Sequence, residues 1–352
     1  MNTFKFKGNQ SDFYIELKAK VQEYFKNNNK TITGNSYLYF KAILLVSSFL
    51  ACYILLLTVS MHWSLALLLC TLAGIATAGI GFNIMHDGSH GSFSKNKTWN
   101  KAASLTLNAL GCSSYFWSVK HVVVHHTYTN IGGHDDDIEN EPFLRLCETQ
   151  EKQKMHAFQQ FYFVLVYGLL YIAWIFYLDF VKYFSRKIGI KENLEISASR
   201  HVGFWATKIL YTLFFVVLPI YAVGIVPFLI GYSCYMFVVG VLISIVFQLA
   251  HCVEDMAFDH SVPENHTDWA THQMNTTCNF STKSKIVTFF TGGLNFQIEH
   301  HLFPKISHVH YPALSKIVKE VSAKYKIKYH EQPTLFAAVK SHYKFLKMMG
   351  NQ

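Results

Sequence analysis

The chain has 352 residues, of which 51% are hydrophobic and only 15% are charged. This composition excludes an ordinary soluble domain and is typical of a protein with several membrane-spanning helices. The net charge of +9 comes from basic residues spread between apolar runs. Such a distribution argues against nucleic-acid binding and fits a membrane protein whose basic loops lie on one side.

Five segments are long and apolar enough to cross a membrane. They lie at about residues 42–60, 63–84, 158–178, 203–223 and 227–250. The first two are joined by a short turn at Met61 and His62, and the last two by a turn from Gly224 to Pro227. Each of these two pairs is therefore predicted to form a helical hairpin.

Histidines are concentrated in three short motifs, each just outside an apolar run. The motifs are HDGSH at residues 86–90, HVVVHH at 121–126 and QIEHH at 297–301. Imidazole is the commonest metal-binding side chain and suits iron, copper and zinc. Residues four apart share one face of an α-helix, so His86 with His90 can present two rings to one centre. So many ligands exceed the needs of one four-coordinate ion, which predicts a site for two metals.

A shared site requires the three motifs to lie on the same side of the membrane. If 158–178 crossed, His300 and His301 would be on the opposite side from His86. We therefore expect this aromatic-rich segment to lie in the membrane interface, with a fifth true span as the alternative. The predicted fold is an all-α integral membrane protein with four transmembrane helices in two hairpins. The predicted fold also has the interfacial helix and a cytoplasmic helical cap, which holds the histidine site. Both termini are predicted to lie on the cytoplasmic side.

The three motifs resemble the histidine boxes of the membrane fatty acid desaturases, and the similarity extends over about residues 40–310. The stretches HHTYTN at 125–130 and DDDI at 135–138 resemble the acyl-CoA and front-end branch, which includes linoleoyl-CoA desaturases. The resemblance implies a histidine-ligated di-iron centre that uses O₂ to remove two hydrogens from an unactivated acyl chain. It also implies three regions: a cytoplasmic N-terminal segment at 1–41, a membrane desaturase domain at 42–310 and a cytoplasmic tail at 311–352.

By the same resemblance, eight histidines are predicted metal ligands. They are His86, His90, His121, His125, His126, His251, His300 and His301. Gln297 stands where stearoyl-CoA desaturases have histidine, and a glutamine there resembles the front-end desaturases. Because an amide is a poorer ligand than imidazole, we expect Gln297 to bind through water or to shape the second layer of contacts. Asp87 and Glu299 are the carboxylates predicted to orient the rings.

The expected partners are a long-chain fatty acyl substrate, membrane lipid and a separate electron donor. About 40 residues precede the first span and contain no His-Pro-Gly-Gly motif, so electrons are expected from a ferredoxin or cytochrome b5 type protein with its reductase. The sequence leaves open whether the acyl chain is carried by CoA or by a lipid. The acidic run at 134–137 lacks EF-hand spacing and is predicted to be a solvated loop.

Two other functions remain as alternatives. A related di-iron enzyme that hydroxylates a lipid or an alkane would carry the same histidine boxes. A histidine-rich metal transporter is more distant, because transport sites lie near the membrane midplane. The histidine motifs here follow the ends of the apolar segments.

Overall fold

The computed structural model describes residue 6 and residues 11–139, 142–258 and 268–352. These form two compact units. The hairpin unit comprises residues 35–122 and 162–245, and the terminal unit comprises residues 1–34, 123–161 and 246–352.

The described chain is mainly helical. In chain order the helices are α1 (Asp12–Asn27), α2 (Ser36–Thr58), α3 (Trp63–Ser89), α4 (Lys97–Ala109), α5 (residues 114–128), α6 (Lys154–Ser185), α7 (Ala198–Val223), α8 (Ile225–His251), α9 (Trp269–Thr276), α10 (Lys285–Phe290), α11 (Gln297–Leu302), α12 (Tyr311–Lys324) and α13 (Leu335–Asn351). Two short strands, β1 (Asn279–Phe280) and β2 (Glu331–Gln332), pair in parallel.

Five of the described helices, α2, α3, α6, α7 and α8, are long and apolar enough to cross a membrane, as the sequence predicts. Several of these helices begin or end outside the residue ranges expected from the sequence. Helix α2 begins at Ser36 because the Asn35 side chain accepts a hydrogen bond from Leu38 N and caps the helix. Lys41, expected in a polar segment, is therefore a buried residue of α2.

Small residues bring the first two long helices close together. A Cβ on Gly79 of α3 would come within 2.7 Å of the Leu45 side chain of α2. Close approach at small residues is a common packing mode of membrane helices. Between α7 and α8 the chain reverses at Gly224, whose φ of +85° favours glycine. Both predicted hairpins therefore form.

Helix α6 presents large apolar side chains outward. Leu165 and Leu169 are 62% and 61% exposed, and Tyr177 is 64% exposed. A long helix with such a surface is suited to contact with lipid, and its 32 residues exceed the expected 158–178 at both ends.

Two helices contain π-helical turns next to histidines. One covers Gly81–Met85 in α3, directly before His86, and the other covers Ser118–His125 in α5. The sequence reasoning assumed regular α-helix at both places. Wider π-turns occur mostly at functional sites, where they redirect side chains.

The core of the terminal unit is built from amphipathic helices. Apolar side chains of α1, including Phe13 and Leu17, share a buried cluster with Leu314 and Val318 of α12. Residues of α9 and α11 complete this cluster. Because α11 carries part of the third histidine motif, this core supports the site.

Candidate metal centre

Three histidines of the hairpin unit meet in one buried group, called here the hairpin set. His86 and His90 lie at the end of α3 and His121 lies in α5. Each offers a ring nitrogen, and these nitrogens lie within 4.8 Å of one another. Nε2 of His86 is 3.2 Å from Nε2 of His121. Two nitrogens this close, in rings that burial keeps from water, suit a shared metal ion.

Trp117 packs against all three rings of the hairpin set. Its indole stacks on His121 with ring centroids 4.6 Å apart and an interplanar angle of 25°. It meets His86 and His90 edge-on at 5.7 and 6.4 Å. Asp87, predicted to orient the rings, is buried, but its Oδ1 is 3.9 Å from Nδ1 of His86, which is longer than a hydrogen bond.

Five histidines of the terminal unit form a second buried group, called here the terminal set. It has two overlapping triads, each with ring nitrogens within 4.8 Å of one another. The triads are His125–His251–His301 and His126–His300–His301. His125 and His126 belong to α5, His251 ends α8, and the other two lie in α11. The two sets together contain all eight histidines predicted to bind metal.

Asp135 fixes the orientation of His125. Both carboxylate oxygens lie 3.0–3.1 Å from Nδ1 of His125. The carboxylate also accepts hydrogen bonds from the backbone N–H groups of Asn130 and Asp137. Asp135 is fully buried, so the expectation of a solvated loop was wrong for this residue. A hydrogen-bonded Nδ1 leaves Nε2 as the nitrogen that faces a metal.

His251 and His301 have equivalent partners. Nδ1 of His251 lies 3.1 Å from the carbonyl oxygen of Thr276. Nδ1 of His301 lies 2.7 Å from Oε1 of Gln273, which also accepts from the Thr129 hydroxyl. Because a carbonyl or amide oxygen only accepts, both rings carry their proton on Nδ1 and offer Nε2.

Tyr311 is the partner of His300 within the terminal set. Its hydroxyl lies 3.1 Å from Nδ1 of His300, and its ring is buried at the start of α12. Helix α12 therefore supports the third motif directly, in addition to its place in the core.

Glu299, the other predicted orienting carboxylate, holds α11 in place. It accepts hydrogen bonds from the Asn279 amide at 2.7 Å and the Tyr329 hydroxyl at 2.8 Å. Burial raises the pKa of Glu299 to about 7, against these two hydrogen bonds, which lower it. Burial and the adjacent Glu299 charge also raise the pKa of Tyr329. The carboxylate thus anchors the third motif to β1 and to the segment before β2.

Gln297 is 1% exposed, and neither its amide oxygen nor its amide nitrogen has a hydrogen-bond partner among the described residues. A buried amide without partners costs about 1–3 kcal/mol. Such a group fits a site where a metal ion or its water supplies the missing contact. The residues present therefore fit a metal centre.

Sequence reasoning missed most of the supporting contacts. Trp117, Gln273, Thr276 and Tyr311 lie outside the three motifs, and three of them come from the chain after α8. Asp135 did have a local signal, because it follows His125 by ten residues within an acidic run. The other four residues have no regular sequence spacing from the histidine motifs that would identify them as supporting residues.

Buried, all-histidine donor sets that could hold metal, in a chain with five membrane-length helices, are typical of a membrane metalloprotein with nitrogen ligands. The family model for fatty acid desaturases matches residues 61–333, and the chain belongs to the fatty acid desaturase family. The predicted family and the predicted enzyme class, an oxidoreductase, are thereby confirmed.

Characterised relatives are similar over nearly the whole chain. An acyl-lipid (8-3)-desaturase of Physcomitrium patens is 34% identical over 96% of this chain and 72% of its own length. The sn-1 linoleoyl-lipid 6-desaturase of Synechocystis sp. is 34% identical over 95% of this chain and 94% of its own length. The enzyme of the same name from Arthrospira platensis is 35% identical over 97% of this chain and 94% of its own length.

Proposed function

We propose that the protein is a front-end desaturase that inserts a double bond on the carboxyl side of an existing one in a lipid-bound acyl chain. The names of two relatives, an acyl-lipid (8-3)-desaturase and an sn-1 linoleoyl-lipid 6-desaturase, support this choice. So does the glutamine that begins the third motif. The observation that carries the proposal is the pair of buried histidine sets, with Nδ1 of several rings already hydrogen-bonded.

Two iron ions are the proposed cofactors, with the histidines of the two sets as ligands. Bound iron would supply the O₂-dependent oxidation that removes two hydrogens from the acyl chain, with two electrons from the external donor. The chain's own contribution is to fix each imidazole by its Nδ1 contact, to exclude water by burial and to position the substrate. Gln297 is proposed to hold a water at the site through its buried amide.

The hairpin unit contains a cavity suited to the methyl end of an acyl chain. Its volume is about 460 Å³ and its lining is mainly apolar. It is lined near the hairpin turns by Met61 and Pro227, and further along by Cys70, Gly231 and Tyr235. The volume is within the usual range for small-molecule pockets.

The assignment of this cavity to the acyl chain has a direct test. Gly231→Leu would place a side chain toward Cys70, because a Cβ at Gly231 already comes within 3.1 Å of its sulfur. We expect the variant to shift the product profile toward shorter acyl chains, measured by gas chromatography of total lipids. Val181→Leu is the matched control, since Val181 is an exposed residue of α6 outside the cavity. An unchanged chain-length profile in Gly231→Leu would remove the cavity from the proposal.

The finer topology is also a proposal: four crossings, α6 in the interface and the histidine sets on the cytoplasmic side. It is supported by the need for an even number of crossings and by the basic residues Lys182, in the last turn of α6, and Arg186 and Lys187, directly after it. Single cysteines at His62 and Lys187, labelled in sealed vesicles by an impermeant maleimide, would test it. We expect labelling from opposite sides, with electrons supplied on the Lys187 side by a ferredoxin or cytochrome b5 type donor.

The activity test is expression in a host that lacks polyunsaturated fatty acids. Saturated, monounsaturated and linoleic acids are fed separately, and lipid classes are analysed by mass spectrometry. We expect a new double bond between the carboxyl group and the existing one in linoleate, absent in a His125→Ala control. A hydroxylated product would support the related hydroxylase instead, and a double bond beyond the existing ones would contradict the front-end assignment.

A further inference from the structure

Two oppositely charged side chains pair with each other inside the hairpin unit, within the membrane-length helices α6 and α7. Asp179 of α6 is 0% exposed and Lys208 of α7 is 7% exposed. Nζ of Lys208 is 2.7 Å from Oδ2 of Asp179. Burying two charges is expensive, and an apolar pair of similar size often stabilises a protein equally well. Charged residues in membrane helices usually have a function, which makes a role beyond stability the first hypothesis for this pair.

The pair also binds the backbone of the turn that precedes α5. Nζ of Lys208 donates to the carbonyl oxygen of Gly111 at 2.8 Å, as well as to that of Ile175. Oδ2 of Asp179 accepts a hydrogen bond from the backbone N–H of Ser113 at 2.8 Å. One carbonyl and one N–H of the same short turn are thus bound by opposite charges.

A third side chain binds the same turn. The hydroxyl of Tyr171 in α6 donates to the carbonyl oxygen of Leu110 at 2.6 Å. Tyr171, Asp179 and Lys208 are called here the turn clamp. Together they bind the backbone of three of the four residues at 110–113.

This turn determines where α5 starts. The Ser113 hydroxyl accepts a hydrogen bond from Phe116 N and caps the helix. The first turn of α5 carries Trp117, and one turn later comes His121, on which its indole stacks. A shift of the turn at 110–113 would therefore move both rings relative to His86 on α3.

We propose that the turn clamp positions the hairpin set for metal binding. Asp179, Lys208 and Tyr171 act as positioning residues: they hold the start of α5 so that His121 meets His86 and His90 with its nitrogen in place. This inference rests on the proposed metal function of the set. The competing explanation is that the buried pair only stabilises the fold.

The double variant Asp179→Leu/Lys208→Met separates the two explanations. It removes both charges at similar volume, so the fold is expected to retain its thermal stability, while Gly111 O and Ser113 N lose their partners. With full-length protein purified in detergent, we expect Co²⁺ binding to fall from two equivalents to one. Visible absorption of the bound Co²⁺ should change accordingly. Two equivalents with the original spectrum would overturn the proposal.

A milder variant decides the question if the double variant does not fold. Tyr171→Phe removes the hydroxyl bound to Leu110 O and leaves both charges in place. We expect about 2- to 10-fold weaker binding of the second Co²⁺, the usual range for one hydrogen bond. Tyr211→Phe is the matched control, because that buried hydroxyl contacts Tyr232 rather than the turn. Equal affinities in the two variants would contradict the positioning role.

The same titrations separate failure of this inference from failure of the proposed function. If the unsubstituted protein binds fewer than two Co²⁺ ions, the two-metal centre itself is wrong. If it binds two and the turn-clamp variants do as well, only the positioning role is wrong.

Discussion

The two histidine sets are supported in different ways. In the terminal set, four of the five rings have a hydrogen-bond partner at Nδ1: Asp135, the Thr276 carbonyl, Gln273 and Tyr311. In the hairpin set, the three rings pack against one another and against Trp117.

This difference has a physical consequence. A hydrogen-bond acceptor at Nδ1 fixes both the tautomer and the orientation of a ring. In the terminal set, single acceptor atoms therefore determine which ring nitrogen faces the site. In the hairpin set, the stacked indole of Trp117 helps to fix the position of the His121 ring. We therefore expect the terminal set to depend on its Nδ1 acceptors and the hairpin set to depend on the packing of Trp117.

The largest effect is expected from removing a ring of either set. His301 belongs to both triads of the terminal set, so His301→Ala disrupts both. His86→Ala removes the ring whose Nε2 lies 3.2 Å from Nε2 of His121. We expect each variant to lose desaturation completely and to bind fewer metal ions, while remaining in the membrane fraction. His62→Ala, an exposed histidine at the first hairpin turn, is the control and should keep full activity. Full activity in His301→Ala would remove that residue from the ligands.

The support of the terminal set is expected to weaken in acid through His342. Its Nδ1 donates to the carbonyl oxygen of Cys252, next to His251, and burial lowers its pKa to about 4. In the unfolded chain this ring accepts a proton near the ordinary value of 6.5. Between these two pH values the unfolded state therefore binds more protons, and stability falls as the pH falls. The loss is on the order of 3 kcal/mol at pH 4.

Thermal unfolding of the detergent-purified protein between pH 7 and pH 4 tests this expectation. His342→Gln keeps a donor for the Cys252 carbonyl but cannot titrate, so its unfolding temperature should depend less steeply on pH. The Cys252 thiol does not interfere, because burial raises its pKa well above the usual range. Identical pH dependence in both proteins would show that His342 does not contribute.

A smaller effect is expected from Asp135→Asn, which keeps the size of the side chain but changes its hydrogen bonding. An amide can present its NH₂ group to Nδ1 of His125 and so favour the wrong tautomer. We expect a loss of about 10- to 100-fold in metal affinity or activity, typical of such outer contacts. Asp136→Asn is the matched control, since it makes the same change in charge on the neighbouring, partly exposed residue. A similar loss in both variants would point to net charge instead.

The sequence indicated which histidines come together far better than it indicated the residues that support them. Within each motif the histidines lie a few residues apart, so local spacing and family resemblance were sufficient to select them. His251, also predicted as a ligand, lies in the terminal set. Gln273 and Tyr311 reach their histidines only through the packing of α9 and α12, which no local pattern encodes. The π-turn before His86 was missed for a related reason, because the 3.6-residue periodicity was assumed to continue.

Trp117 provides the mildest test, and it addresses shape directly. Trp117→Phe retains a flat ring against His121, whereas Trp117→Leu replaces it with a branched aliphatic chain. An aromatic contact is worth about 0.5–1.5 kcal/mol beyond its burial, or roughly 2- to 10-fold in affinity. We expect Trp117→Leu to weaken Co²⁺ binding at the hairpin set by this factor and Trp117→Phe to change it less, with the terminal set unaffected in both. If the two variants lose equal affinity, the indole acts through its volume or its N–H group rather than as a flat surface. If the N–H group is responsible, the hairpin set requires a specific polar contact, as the terminal set does.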